Sequence, residues 1–201
     1  MGPPAGAGSP PSPRNRSDRP IQIVGVRSRS QVEEARRLLG EYAEGLEIDL
    51  DFQGFEGELA RLPGEYAESG GRLLLAYREG RAIGVVGLRR WSRTIGEVKR
   101  LYVRPAERRR HAGRRLVAAI VAAARRAGYR RLRLDTLPTM DTALRLYASF
   151  GFRDIPAYRL NPVPGARYLE LWLPTPRRPR QRAVGRPTAP RLKGRVALPP
   201  R

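Results

Sequence analysis

Apolar and polar residues alternate with a period of two along several stretches of this chain, which is the spacing of side chains on a β-strand. Gly80 lies between two further predicted strands, at 73–77 and 82–89, in the sequence Arg-Glu-Gly-Arg, and is predicted to form a hairpin turn. Pro105 closes the predicted strand at 95–103. The predicted strands cover residues 21–26, 73–77, 82–89, 95–103, 131–136 and 168–173.

Between these strands, apolar residues recur at spacings of three and four, as on one face of an amphipathic helix. Ser30 is the predicted N-cap of the first helix. The third helix is predicted to begin near Gly113 and to end at Gly128. Its buried stripe would contain Leu116, Ile120, Ala123 and Ala127. The other predicted helices run through 32–39, 55–62 and 139–150, so the order of elements indicates an α/β layered domain with a mixed sheet.

The two ends of the chain lack this patterning. Residues 1–20 are rich in glycine, proline and serine, and residues 175–201 carry nine basic residues and no acidic ones. Segments of this kind bury too little apolar surface to fold. We therefore predict one domain over 21–174 between two disordered ends, the second of them a basic tail.

A basic loop follows the strand at 95–103 and precedes the helix near Gly113. The first N–H groups of a helix have no partner within it, and the helix dipole places a partial positive charge at the same end, so a phosphate is favoured there. Four arginines add full charges. This arrangement predicts a phosphate-binding loop that includes Arg108, Arg109, Arg110 and Arg114.

The sequence from Arg108 to Gly113 resembles motif A of the GNAT superfamily, the acyl-CoA-dependent N-acetyltransferases, which reads Gln/Arg-x-x-Gly-x-Gly/Ala. His111 stands where that motif has its first glycine, and Gly113 matches the second. Further along, the sequence from Ala143 to Phe152 resembles the family's motif B, Ala-x-x-x-Tyr-x-x-x-Gly-Phe. Met140 replaces the asparagine that usually precedes it. The resemblance covers roughly residues 73–173.

This resemblance implies a GNAT-like layered fold, whose mixed, mostly antiparallel central sheet is splayed between two central parallel strands. It implies acetyl-CoA as the cosubstrate and no metal. The pantetheine arm would lie against the backbone of the strand that carries motif A. The implied contacts are Leu101, Tyr102 and Val103 for that arm, and Arg108, Arg109, Arg110, His111, Ala112, Gly113 and Arg114 for the phosphates.

Motif B implies a catalytic role for Tyr147, as the proton donor to the departing CoA thiolate. Tyrosine suits that role because its reference pKa near 10 keeps it protonated at neutral pH. The alternative is a tyrosine packed in the core. Glu97 is the predicted catalytic carboxylate that removes the amine proton, directly or through water; alternatively it pairs with Lys99 or Arg100.

Other catalytic classes find little support. The chain has no cysteine, which excludes disulfides, thiolate metal sites and an acyl-cysteine intermediate. A serine-hydrolase triad would have to use His111, the single histidine, and there is no Gly-x-Ser-x-Gly sequence to partner it. His111 therefore remains a candidate for a phosphate contact, a base or an ordinary surface residue.

Acidic residues concentrate in one region, from Glu41 to Glu68, where nine carboxylates accompany the single basic residue Arg61. In GNAT folds this region usually walls the acceptor site. An acidic wall would attract a cationic primary amine. A solvent-exposed helix face kept acidic for solubility is the alternative.

The net charge of +21 suggests a nucleic-acid partner, yet 38 of the 40 basic residues are arginine, which is equally typical of genome-wide compositional bias. The sequence lacks a membrane span or signal pattern, and we predict a cytoplasmic protein.

The expected function is direct acetyl transfer from acetyl-CoA to a peptidyl or small-molecule amine, in a ternary complex. The alternative is a catalytically weak CoA-binding module that docks nucleic acid or an acidic partner through its basic tail.

Overall fold

A computed structural model of the 201-residue chain describes residues 20–46, 50, 54–67 and 70–174. The predicted tail at 175–201 lies outside these residues, as does the predicted amino-terminal segment apart from Pro20. Four members of the acidic run also lie outside them: Glu47, Asp49, Asp51 and Glu68.

Seven strands form one mixed sheet with the order β1-β2-β3-β4-β5-β7-β6. Neighbouring strands pair antiparallel except β4 and β5, which are parallel. This confirms the predicted fold class. The strands are β1 Gln22–Gly25, β2 Arg72–Arg78, β3 Arg81–Arg90, β4 Ile95–Val103, β5 Arg131–Thr136, β6 Arg153–Asp154 and β7 Arg167–Trp172. The two-residue strand β6 was not predicted, because two residues are too few to show a period.

Helices cover both faces of this sheet. They are α1 Arg29–Glu44, α2 Phe55–Ala60, α3 Ala112–Arg126 and α4 Asp141–Ser149, with 3₁₀ turns at Gly64–Tyr66 and Pro105–Glu107. One core cluster joins α3 and α4 to the sheet around Leu116 and Ile120. A second joins α1 and α2 to the other face around Leu38 and Phe55. The sheet is therefore the middle layer of three.

The predicted N-cap of α1 was wrong by two residues. Ser28, not Ser30, is the cap: its hydroxyl accepts a hydrogen bond from the backbone N–H of Gln31, and the Gln31 side chain accepts from the N–H of Ser28. Such a reciprocal capping box satisfies two otherwise free donors. Ser30 has Glu33 at the same spacing, so the capping-box pattern in the sequence fits both serines and does not choose between them.

The predicted end of α3 needs a similar correction. The helix begins at Ala112, with His111 as the N-cap residue, and ends at Arg126. Ala127 is the C-cap and is exposed, so it does not belong to the buried stripe, whereas Leu116, Ile120 and Ala123 do. Gly128 has φ +84°, the left-handed conformation in which glycine commonly ends a helix.

A bulge interrupts β4 next to the parallel pair. Val85 pairs with Tyr102 and Gly87 pairs with Lys99, so one residue of β3 faces two residues of β4. Arg100 is one of these two and has φ +61°. An extra residue of this kind bends a strand and redirects its side chains. Here it directs Arg100 towards α2 and Lys99 towards β5.

Candidate active site

The parallel strands β4 and β5 separate from one another partway along their length. They pair only from Ile95–Glu97 to Arg131–Arg133, and beyond these residues no pairing joins them. A small cavity of about 60 Å³ lies at this separation. Its walls include Lys99, Arg100 and Leu101 of β4, Asp135 and Thr136 of β5, Met140, Ala143 and Tyr147 at α4, Tyr42 of α1, and Asn161.

The edge of β4 that faces β5 lacks a strand partner over residues 98–103 of the described structure. Backbone N–H and C=O groups at such an edge can pair with an extended ligand. Leu101, Tyr102 and Val103 lie in this segment. The side chains of Leu101 and Val103 pack against the α3 core and that of Tyr102 against the α1 core. Packing therefore occupies their side chains but not this edge of their backbone.

The basic loop leads from β4 into the N-terminus of α3. Arg109 and His111 have φ of +66° and +61°, in the left-handed region that glycine adopts most easily. His111 makes no side-chain hydrogen bond to cap the helix. The first-turn N–H groups of α3 are consequently open to an external acceptor, as an anion site at a helix N-terminus requires.

The side chains of this loop point largely to solvent: Arg108, Arg109, Arg110, His111 and Arg114 are exposed and Ala112 is buried. Arg108 Nε donates to the carbonyl of Val103 at 3.3 Å. Arg114 lies over the ring of Phe150 and donates to Ser149 at 3.3 Å. These contacts orient the Arg108 guanidinium towards the end of β4 and the Arg114 guanidinium towards the end of α4.

Tyr147 of α4 lies on the cavity wall and is buried. Its ring contacts that of Phe152, with centroids 5.4 Å apart. Burial raises the pKa of its hydroxyl well above the ordinary value of 10. The hydroxyl therefore keeps its proton at neutral pH. Its ring packs in the core and its position also borders the cavity. The two predicted roles, proton donor and core residue, are therefore compatible.

Glu97 lies on β4 beside the parallel pairing and is fully buried. Its Oε2 accepts a hydrogen bond from Arg89 Nε at 2.6 Å, and its Oε1 accepts from the Tyr158 hydroxyl at 2.8 Å and from the Arg159 guanidinium at 3.1 Å. It does not pair with Lys99 or Arg100, which take Asp135 and Glu58 instead. Both carboxylate oxygens of Glu97 are thus occupied by residues of β3 and of the segment between β6 and β7.

A second carboxylate, which the sequence analysis did not single out, lies on the cavity wall itself. Asp135 of β5 accepts a hydrogen bond from Lys99 Nζ at 2.9 Å and another from Asn161 Nδ2 at 3.0 Å. The Lys99 and Asp135 side chains are 5% and 3% exposed. Neither residue belongs to the motifs, so the sequence offered no signal for this pair beyond the rarity of lysine.

Residues 34–152 match the model of the acetyltransferase (GNAT) family. This match covers more than half of the chain and both motifs. The chain belongs to the GNAT acetyltransferase family. An uncharacterised N-acetyltransferase of Schizosaccharomyces pombe is 37% identical over 153 residues, which are 75% of this chain and 94% of that protein.

Solved GNAT structures share the fold at low sequence identity. A protein of Salmonella typhimurium, solved with its cofactor acetyl-CoA, has a TM-score of 0.60 at 17% identity and covers 77% of this chain and 94% of its own. The PaiA N-acetyltransferase of Thermoplasma acidophilum, solved in complex with coenzyme A, has a TM-score of 0.62 at 15% identity, with coverages of 77% and 99%. The chain is thus a GNAT N-acetyltransferase by sequence family and by fold.

In this GNAT enzyme three of the five described carboxylates of the acidic run make ion pairs within the fold. Glu41 pairs with Arg104 at 2.5 Å, and Glu65 pairs with Arg89 at 2.6 Å. Glu58 receives two hydrogen bonds from Arg100. These three pairs neutralise much of the charge that the run carries in sequence. Glu44 and Glu56 are exposed at the surface.

No group of three or more metal-ligating side chains occurs among the residues that the structure describes. Within the same residues, none of the helices is both long and apolar enough to cross a bilayer.

Proposed function

We propose that this GNAT enzyme transfers the acetyl group of acetyl-CoA to a primary amine by direct attack in a ternary complex. The observation that carries the proposal is the separation of β4 from β5, which leaves an open strand edge and a cavity with Tyr147 on its wall. The basic loop before α3 follows directly after this strand edge. A phosphate-bearing thioester could therefore contact both at once.

The residues present suit acetyl-CoA as the donor. The uncapped N-terminus of α3 and the guanidinium groups of Arg108 and Arg114 would hold the phosphates. The open edge of β4 at Leu101, Tyr102 and Val103 would pair with the amide groups of the pantetheine arm. Backbone N–H donors aimed at the thioester oxygen would favour the charge that develops there, a contribution often worth ~3–4 kcal/mol per donor.

Tyr147 would donate a proton to the CoA thiolate as the carbon–sulfur bond breaks. Burial keeps its hydroxyl protonated. A thiol with a reference pKa near 8.5 needs only modest help to leave, so we assign Tyr147 the low end of the ~10²–10⁴-fold range of acid catalysis.

Glu97 is the carboxylate predicted to remove the amine proton. Hydrogen bonds from Arg89, Tyr158 and Arg159 engage both of its oxygens and use three of the roughly four acceptor sites of a carboxylate. We propose that Glu97 acts chiefly by positioning: it holds Tyr158 and Arg159 of the segment that also supplies Asn161 to the cavity wall.

For the acceptor we propose a cationic primary amine. Glu44, Glu56 and Glu65 are the exposed carboxylates of the described acidic run, which corresponds to the region that walls the acceptor site in GNAT folds. The ion pairs of Glu41, Glu58 and Glu65 reduce this field, so the preference should be modest. A cytoplasmic location is part of the same proposal, because the enzyme needs a supply of acetyl-CoA as its donor.

A thiol-release assay with acetyl-CoA over a panel of amines tests this proposal. The panel contains cationic, neutral and anionic primary amines of similar size. Cationic amines should give the highest kcat/KM, and this advantage should shrink as ionic strength rises, because exposed charges are screened beyond about 8–10 Å at 0.10–0.15 M salt. A preference for an anionic amine that charge reversal at Glu44 and Glu56 leaves unchanged would contradict the assigned acceptor class.

A further inference from the structure

Lysine is rare in this chain, and one of its two lysines lies in the cavity. Of the 40 basic residues, 38 are arginine, and only Lys99 and Lys193 are lysine. Lys99 is the one that the structure describes, and it is 6% exposed. Surface positions that need only a positive charge carry arginine almost everywhere. The lysine at position 99 is therefore best explained by a chemical property that lysine has and arginine lacks.

The chemical difference is the ability to release a proton. An arginine guanidinium remains charged in proteins, whereas a buried lysine can become a neutral amine and serve as a base. Arginine is also the residue that forks onto carboxylates, and Arg100, next in the chain, pairs with Glu58 in this way. If position 99 only had to pair with a carboxylate, arginine would serve there as it does at position 100 of the same strand.

Lys99 is held in a defined orientation. Its Nζ donates to Asp135 Oδ1 at 2.9 Å, and the other oxygen of Asp135 accepts from Asn161 Nδ2 at 3.0 Å. Lys99 lies two residues before Leu101 on β4, and both residues line the same cavity as Tyr147. The Lys99 amine could therefore act on the acceptor amine, and the Tyr147 hydroxyl on the departing thiolate, within one reaction.

We propose, resting on the acetyl transfer proposed above, that neutral Lys99 takes the proton of the acceptor amine and that Asp135 positions Lys99 for this step. Asn161 fixes Asp135 from the segment between β6 and β7. Lys99 would be the catalytic base and Asp135 a positioning residue.

The surrounding charges are compatible with a titrating lysine. Burial lowers the pKa of Lys99 below its ordinary value of 10.5, although the carboxylates of Asp135 and Glu97 oppose this effect. Arg100 lowers the pKa further by charge repulsion. A pKa moved towards neutrality is favourable for a base that works near pH 7.

The remaining charged and titratable groups around the pair come from other elements. Arg159 acts on Asp135 from the segment between β6 and β7 and lowers its pKa together with Lys99, against the effect of burial. Tyr42 of α1 and Tyr147 of α4 face the same cavity, and burial raises the pKa of each hydroxyl. Both tyrosines therefore stay neutral over the pH range in which Lys99 would titrate.

The proposed step balances as follows. The bound ammonium of the acceptor gives one proton to the neutral Lys99 amine, which becomes an ammonium paired with the Asp135 carboxylate. The freed amine lone pair forms the carbon–nitrogen bond with the acetyl carbonyl carbon, and the carbon–sulfur bond breaks. The CoA thiolate receives a proton from Tyr147, and the amide nitrogen loses its second proton to solvent.

The test is the pH dependence of kcat under single-turnover conditions with the full chain. Two acceptors are used, with amine pKa values near 8 and near 10.4. In the wild type, the plot of kcat against pH should contain a rising limb, and the pH at the midpoint of this limb should be the same for both acceptors. Lys99→Arg should remove that limb and lower kcat by about a hundredfold. Lys193→Arg is the matched control and should leave the profile unchanged.

Asp135→Asn distinguishes a titrating base from a structural ion pair. Removing the carboxylate removes a charge that favours the ammonium, so the limb should move to lower pH by about one to three units. A limb that stays in place in Asp135→Asn, or survives in Lys99→Arg, would overturn the proposal. So would acetylation of Lys99 itself during turnover, since a nucleophile would then have been mistaken for a base.

Thermal unfolding and calorimetric CoA titration accompany each variant. If Lys99→Arg fails to fold because the cavity is small, Lys99→Met replaces it and must likewise lose the limb. Failure of the proposed function has a different signature: the wild type itself would then transfer no acetyl group to any amine.

Discussion

The guanidinium of Arg100 donates two hydrogen bonds to the carboxylate of Glu58, from Nε at 2.9 Å and from a terminal nitrogen at 2.8 Å. Glu58 also accepts a hydrogen bond from the Tyr66 hydroxyl at 2.7 Å. Arg100 sits at the bulge of β4 and lies over the ring of Phe55 in α2. This pair therefore fastens α2 to the strand that lines the cavity, and both side chains are almost fully buried.

Glu58→Gln should lower the free energy of unfolding by about 3 kcal/mol at pH 7, because removing one partner of a buried pair leaves the other charge uncompensated. Burial tends to raise the pKa of Glu58, but the hydrogen bonds and charge of Arg100 outweigh this and hold it below the ordinary value of 4.5. Its contribution is therefore complete above about pH 4.5 and is lost as pH falls through the lowered pKa. Urea unfolding of both proteins at several pH values measures this difference.

Glu56→Gln is the matched control, since Glu56 belongs to the same helix and is exposed. It should change the free energy of unfolding by less than about 0.5 kcal/mol. Equal destabilisation by the two substitutions would show that the Arg100 pair contributes nothing specific.

Strands β1, β5 and β7 could be predicted because apolar and polar residues alternate along them, and β2 and β3 because two apolar stretches flank the turn at Gly80. The basic loop before α3 and the position of Tyr147 at the cavity could be singled out from the sequence because both lie in short motifs, and their roles stay predictions. The N-cap Ser28 was not predicted because Ser28 and Ser30 both have a capping-box partner three residues later, Gln31 and Glu33, and the sequence does not choose between them. β6 has only two residues, and its pairing with β7 is what defines it.

The ion pairs around the cavity could not be predicted for a different reason. Lys99 and Asp135 are 36 residues apart, and Glu97 and Arg159 are 62 apart. The pairing of such residues depends on strand order and on the β4 bulge, which no local pattern encodes. The acidic run is predicted from the sequence to be an acceptor wall or a solvent-exposed helix face, whereas Glu58 is buried and compensates an arginine of the sheet.

Substitutions in the basic loop should weaken CoA binding without unfolding the domain. Arg108→Ala should raise the Kd at least about tenfold, because a hydrogen bond to a charged group is worth roughly 1.5–3 kcal/mol. Gly113→Glu should do the same by charge repulsion. A Cβ at Gly113 would meet Leu146 at 3.4 Å and Val103 at 3.9 Å, which are ordinary contacts, so the fold should tolerate it.

Isothermal titration with CoA measures these affinities. Arg126→Ala, at the opposite end of α3, removes an exposed arginine and should leave the Kd unchanged. If Arg108→Ala and Gly113→Glu both bound CoA like the wild type, the phosphates would have to be held elsewhere.

Tyr147→Phe keeps the ring contact with Phe152 and removes only the hydroxyl. Folding and CoA affinity should persist, and kcat should fall by about ten- to a hundredfold. Single-turnover kinetics measures this with chemistry as the observed step. Tyr129→Phe is the control: it removes a hydroxyl that donates to Gly70 outside the cavity and should leave kcat unchanged. An unaltered kcat in Tyr147→Phe would reduce Tyr147 to a core residue.

Truncation after Pro174 should leave acetyl transfer to a small amine unchanged. Leu173 is buried, and its N–H donates to the carbonyl of Arg130, so the described fold is packed and hydrogen-bonded up to that residue. Any nucleic-acid binding of the full chain should disappear with the tail and should weaken steeply with salt. Loss of activity in a folded truncated protein would place the tail in the active site.

The most direct test of acetyl transfer at this cavity is to measure both products of one reaction. Acetyl-CoA carrying a labelled acetyl group is incubated with the enzyme and the preferred amine, and free thiol and acetylated amine are quantified by absorbance and mass spectrometry. Equal amounts of thiol and labelled amide, both reduced at least about tenfold in Tyr147→Phe, are the predicted result. Thiol release without amide, or amide formation that Tyr147→Phe leaves unchanged, would contradict the account.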